Sequence, residues 1–190
     1  MIRNSRHHII NNFEPATSST MNKFQDILKG GDLRSIGSAN EIVSMVHDQK
    51  TFDELFECLC HEDRIVVMRT ADAIEKITLR KPEFLQKHKT ELFNLCLIAN
   101  NIELKWHLAL LISLPVLNKE ELDRAWYILS RWARDKKESK IVRVNSVQAL
   151  YNLMQQNPGL SDDYHKLISE IGKEKIASLD ARIRKLQKTR

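Results

Sequence analysis

Few residues in this chain stand at spacings that could do chemistry. Cys58-Leu59-Cys60-His61 groups two thiols and an imidazole, the donor types of a zinc site. Side chains two apart on a helix diverge by about 200°, so both sulfurs cannot meet one ion there. Cys58 also falls at the spacing of Phe52, Leu55 and Leu59, which makes it a core thiol, as does the setting of Cys96 among Leu92, Phe93, Leu95 and Leu97. His107 has the chemistry of a general base, yet no nucleophile lies three or four residues from it, and Glu103 is the one carboxylate at that spacing, which leaves the catalytic reading weak. Gly30-Gly31-Asp32 lacks the Lys-Ser/Thr of a phosphate loop and reads as a stop followed by a cap. The expectation is therefore no catalytic residue, no metal and no cofactor.

Recognition chemistry is better represented. Trp106 and Arg69 are the kinds of residue that bury much area while keeping a polar handle. Asn145, Gln148, Asn152 and Gln156 put four amides on one side of a helix, where each offers donors and an acceptor. The basic residues fall in two clusters. Residues 173–190 hold Lys173, Lys175, Arg182, Arg184, Lys185, Lys188 and Arg190 against Glu174 and Asp180, which accounts for the whole net charge of +5. Residues 131–143 hold Arg131, Arg134, Lys136, Lys137, Lys140 and Arg143 against Asp135 and Glu138. Either could meet phosphate or an acidic surface; the plainer reading is a solvated loop and a solvated helix end.

The elements that must position these residues are helices. In 190 residues there are 5 Gly and 4 Pro, too few for a turn-rich β-sandwich, and 42% of residues are apolar, too many for a disordered chain. Residues 1–20 are polar and aperiodic and read as a flexible leader, with Met21 a candidate start. From 21 to 190 the chain reads as one domain of amphipathic helices. Breaks are expected at Gly30-Gly31, Asp48–Lys50, His61–Asp63, Pro82, Asn100-Asn101, Pro115–Asn118, Asp135–Ser139 and Asn157-Pro158-Gly159. Three cysteines cannot form a fully paired set, which points to a reducing, cytoplasmic setting. No run of about 18 apolar residues is present, so no membrane partner is expected.

Self-similarity organises the helices. Ile65–Ile77 overlays Ile141–Leu153, with Ala73 on Ala149, and Ile102–Leu114 fits the same frame. A weaker copy places Ala39, Ile42 and Met45 on Ala71, Ile74 and Ile77. Each copy follows another apolar helix, and a two-helix period of about 37–40 residues is that of HEAT-type repeats. The run Val67–Lys76, followed by Lys105-Trp106-His107-Leu108-Ala109, resembles bacterial HEAT-repeat proteins without an assigned activity, over roughly residues 32–155. The resemblance implies a right-handed α-solenoid of about four helical hairpins, used for binding and without catalytic residues. It also implies an Asp at the turn and an Arg in the second helix. Asp63 and Arg69 match that pattern, while Trp106 and Asn145 hold the Arg position in later copies.

Stacked copies convert spacing into rows. Val67, Ala71, Ile74 and Thr78 share the core side of their helix, so Arg69, Asp72, Lys76 and Arg80 should face water on the inner, concave wall. The equivalent positions are Gly37, Asn40, Ser44 and Asp48 before them, then Trp106, Ala109, Ser113 and Leu117, then Asn145, Gln148, Asn152 and Gln156. The expected partner-binding set is Arg69, Asp72, Lys76, Trp106, Asn145, Gln148 and Asn152, holding a protein or peptide. Trp106 is either the anchor of a slot or a core residue of an apolar helix, and both readings stay open. If the row faces water, replacing Trp106 or Arg69 should leave unfolding nearly unchanged. Trp126 joins Leu122, Leu129 and Ala133 on a core stripe, whereas Trp132 is placed near the edge, beside Asp135. That aromatic–acid pairing supports a second reading, nucleic-acid binding of the kind seen in helical-repeat alkylpurine DNA glycosylases, whose hallmark would be a steep salt dependence.

Overall fold

The computed structural model describes residues 23–29 and 37–188. The expected leader over 1–20, Met21 and the Gly30-Gly31-Asp32 break lie outside them. Among the described residues there are ten α-helices and no strand. They form five hairpins: α1 (Lys23–Leu28) with α2 (Gly37–Met45), α3 (Gln49–Glu57) with α4 (Arg64–Thr78), and α5 (Lys89–Ile98) with α6 (Ile102–Leu111). Next come α7 (Lys119–Arg134) with α8 (Lys140–Gln156), and α9 (Ser161–Gly172) with α10 (Ala177–Lys188). The second helices pack in chain order, α2 on α4, α4 on α6, α6 on α8 and α8 on α10, which is the serial stacking of an α-solenoid.

Local chemistry starts the helices where the breaks were expected. Asp48 caps α3 through the Thr51 amide, Asp63 caps α4 through Ile65, and Asn101 caps α6 through Leu104. Asn118 and Glu121 form a reciprocal capping box at α7, and Ser139 caps α8 through Val142. The apolar stripe of α4 is buried as the periodicity requires, with Val67, Ala71, Ile74 and Thr78 all in the core. Trp126 is half-buried against the same core. No helix among the described residues is long and apolar enough to cross a membrane.

Charges bind successive hairpins to one another. Arg64 pairs with Glu103 at 2.6 Å, Lys105 with Glu138, Arg134 with Glu170 at 2.9 Å, and Arg143 with Glu174 at 2.9 Å. The 131–143 cluster is thus partly consumed inside the stack: Arg143 is buried rather than solvated. The basic C-terminal stretch differs from expectation too. Expected to be the solvated end of a last helix, it holds a turn between Gly172 and Ala177, with Lys175 at φ 55°, and then all of α10, the second helix of a fifth hairpin. Gly172-Lys173-Glu174-Lys175 offers only one turn-favouring residue, which is why the break is faint in the sequence.

Candidate functional site

Along α4, α6, α8 and the middle of α10 runs a groove of about 770 Å³. Six of the seven expected residues line it: Arg69, Asp72, Trp106, Asn145, Gln148 and Asn152. Lys76 does not line it, but holds Asp72 at 2.8 Å and also donates to Asn40 Oδ1 at 3.0 Å. Trp106 is half-buried, with part of its indole packed on the core and part in the groove. Around it stand Met68, Leu110 and Leu114 from the walls, with Leu79 and Ile141 at the margins. Leu79 is 68% exposed and Ile141 44%, so the lining leaves apolar surface open to solvent besides the indole.

The row geometry is real, but its members are more engaged than their spacing indicates. Arg69 was expected to face water; it is 2% exposed and donates to the Leu28 carbonyl at 2.8 Å. The cause is the short first helix, whose end lies against α4 and presents a carbonyl that a long cationic side chain can reach. Asp63 caps its own helix instead of pairing with Arg69, so the Asp–Arg pattern that the two residues match does not become a contact. Trp132, expected near the edge, is 2% exposed, with the Lys105 ammonium 5.5 Å above its ring. No Trp132–Asp135 surface pairing therefore exists.

His107, expected at a tolerated polar edge, is buried, and its Nδ1 lies 2.5 Å from Glu75 Oε2. The carboxylate that meets it is not Glu103 of its own helix, which pairs with Arg64, but one supplied by α4, one repeat earlier. Acid and imidazole satisfy one another in the groove wall. Among the described lining residues there is no hydroxyl or thiol for them to activate.

The amides, expected to await solvent or a partner, bind the helices together. Asn145 Nδ2 donates to the Trp106 carbonyl at 3.1 Å and so fixes α8 against the backbone that carries the indole. Arg182 on α10 donates to Gln148 Oε1 at 2.7 Å, and Gln148 Nε2 donates to Asn152 Oδ1 at 3.0 Å. Asn152 Nδ2 donates to Ser113 Oγ at 3.3 Å, which donates to the Leu110 carbonyl at 2.8 Å. Every donor points the same way, from α10 through α8 to α6, an arrangement in which each bond polarises the next. Arg182 is the lining residue missed in the sequence, where it read as one cation of a basic end. Its position thirty-seven residues after Asn145 was the signal that it continues the row Arg69, Trp106, Asn145.

Cys58 and Cys96 behave as core residues, whereas Cys60 is exposed. Burial pushes the Cys58 and Cys96 thiols up to about 12, and among the described residues no group of three or more His, Cys, Asp and Glu side chains is placed to hold a metal.

Serial two-helix stacking over five hairpins decides the family question, and residues 32–189 match the HEAT repeat domain. The chain belongs to the HEAT repeat family. The chain has no significant match among curated proteins or among solved structures. HEAT repeats are commonly protein-interaction scaffolds and typically lack catalysis. In this HEAT repeat protein the groove occupies the wall formed by the second helices, and the match extends through α10, which supplies Arg182.

Proposed function

We propose that this HEAT repeat protein is a non-enzymatic scaffold that holds a segment of a partner protein in the groove along α4, α6, α8 and α10. The observation that carries this reading is the half-buried indole of Trp106, fixed through its backbone by Asn145, in a lining that also exposes the side chains of Leu79 and Ile141. Such an anchor has little rotamer freedom left to lose on binding, so apolar area covered there converts more fully into affinity. The cationic, aromatic-rich wall that nucleic-acid binding would need is not favoured. Trp132 is sealed in the core, and Asp72 and Glu75 place two carboxylates in the groove.

The test uses positions whose replacement leaves the core intact. Leu79→Glu and Ile141→Glu place a charge in the groove, whereas Tyr127→Glu places one outside the groove lining at a site 65% exposed. The expected result is that both groove variants abolish partner capture in extracts of the native host, while Tyr127→Glu captures normally and all three melt with the parent. Capture by the groove variants equal to that of the parent would place the partner on another face. Steep loss of duplex DNA binding with salt, reversed by none of these charges, would favour the nucleic-acid reading.

A further inference from the structure

We infer that the groove selects a partner segment bearing an acidic side chain, Asp or Glu, which docks on Arg182 while a large apolar side chain of the same segment covers Trp106. This rests on the groove reading and adds the chemistry of what occupies it. The groove contains two carboxylates, but both are engaged: Asp72 by Lys76, Glu75 by His107. Arg69 is buried and turned to the Leu28 carbonyl. Arg182 is the lining cation whose guanidinium meets a neutral amide, Gln148, and no carboxylate among the described residues. That single bond uses one of its five N–H groups and orients the planar fork, leaving an edge for bidentate capture of a carboxylate.

The relay behind Arg182 reinforces this. Gln148, Asn152 and Ser113 pass their donors away from the guanidinium, so the chain presents an acceptor to Arg182 and no competing negative charge. A polyphosphate backbone suits the site poorly, because Asp72 and Glu75 sit on the opposite wall. A single carboxylate at the α10 end avoids them. Spacing follows from the stack. Trp106 and Arg182 are two helices apart, about 18 Å between axes at about 9 Å per helix contact. An extended chain advances about 3.3 Å per residue, and both side chains lean into the groove, so the acid lies about three to five residues from the apolar anchor.

Panning a phage-displayed random peptide library on the full chain tests this, followed by fluorescence anisotropy with the selected peptides in synthetic form. The expected peptides lose binding to Leu79→Glu, carry an Asp or Glu at that spacing from a large apolar residue, and weaken at least about ten-fold when the acid becomes its amide. Arg182→Gln should weaken the acidic peptides equally and erase their advantage over the amide forms. Arg182→Lys, which keeps the charge but not the fork, should keep part of that advantage and guards against misreading an unfolded variant. Peptides blocked by Leu79→Glu yet indifferent to both Arg182 variants would overturn the acidic specificity and leave the groove reading standing. Recovery of no peptide that Leu79→Glu blocks would overturn both.

Discussion

Arg143 reaches from α8 with both terminal nitrogens to the Glu174 carboxylate, at 3.0 and 2.9 Å, while its Nε holds the Ala133 carbonyl at 2.9 Å. One buried guanidinium thereby joins the end of α7, the wall of α8 and the turn before α10. Loss of either partner leaves an uncompensated charge in a poorly solvated place, so Arg143→Ala should lower unfolding free energy by about 3 kcal/mol. Chemical denaturation measures this, and a shift below a few tenths would show that the fifth hairpin docks without the pair.

The same pair makes stability depend on acid. Hydrogen bonds from Arg143 hold the Glu174 carboxyl below its ordinary value of 4.5, and Arg64 and Arg134 do the same to Glu103 and Glu170. Each carboxyl binds its proton more weakly folded than unfolded. The stabilisation is therefore complete above about pH 4.5 and drains away as pH falls through the lower folded values. Denaturation midpoints followed from about pH 7 to about pH 3 should fall most steeply below pH 4.5, with a shallower fall for Glu174→Gln. An identical slope in that variant would assign the acid sensitivity to other carboxylates.

Arg69 behaves as a strut, contrary to its position in the row. Replacing it with Met removes the donor to the Leu28 carbonyl and should cost about 1–3 kcal/mol. Hydrogen exchange locates the effect: amides of Lys23–Leu28 should lose protection first, because α1 is six residues long and depends on tertiary contacts. Unchanged exchange there would show that α1 is held by Phe24 and Leu28 alone.

How much of this was legible depended on whether a feature was periodic. The stripe Val67, Ala71, Ile74 and Thr78 repeats at helical spacing, and the caps Asp63, Asn101 and Ser139 sit where backbone amides need acceptors, so helices and stacking followed from short-range chemistry. Rows could be drawn because the copies share a frame. Whether a row member faces water was not legible, since that is decided by neighbours distant in sequence. Arg69 is buried by the end of α1, and His107 by an acid thirty-two residues earlier. Arg182 was hidden for the opposite reason: charge counting merged it with its basic neighbours, while helical register separates it from them.

The relay from Arg182 to Ser113 should be energetically coupled. Gln148→Ala and Asn152→Ala each break two of its bonds, and they share the bond between Gln148 and Asn152. The double variant should therefore lose less stability than the two single losses together, by about 0.5–1 kcal/mol. A double-mutant cycle in denaturant measures this. Strict additivity would mean that the amides are solvated independently and do not brace α8 against its neighbours.

The three tryptophans give a direct view of the groove. Trp132 is 2% exposed beneath Lys105, whereas Trp106 is half-buried in the lining. A Trp126→Phe/Trp132→Phe chain leaves Trp106 as the reporter; a Trp106→Phe/Trp126→Phe chain leaves Trp132. The Trp132 reporter should emit at shorter wavelength and resist acrylamide quenching, because its indole is shielded from collision. The Trp106 reporter should be quenched several-fold more efficiently, and a groove-bound peptide should remove that difference. Equal quenching of the two would mean that the indole at 106 is sealed by its neighbours, and the anchor assigned to it would have to come from Leu79 and Ile141 alone.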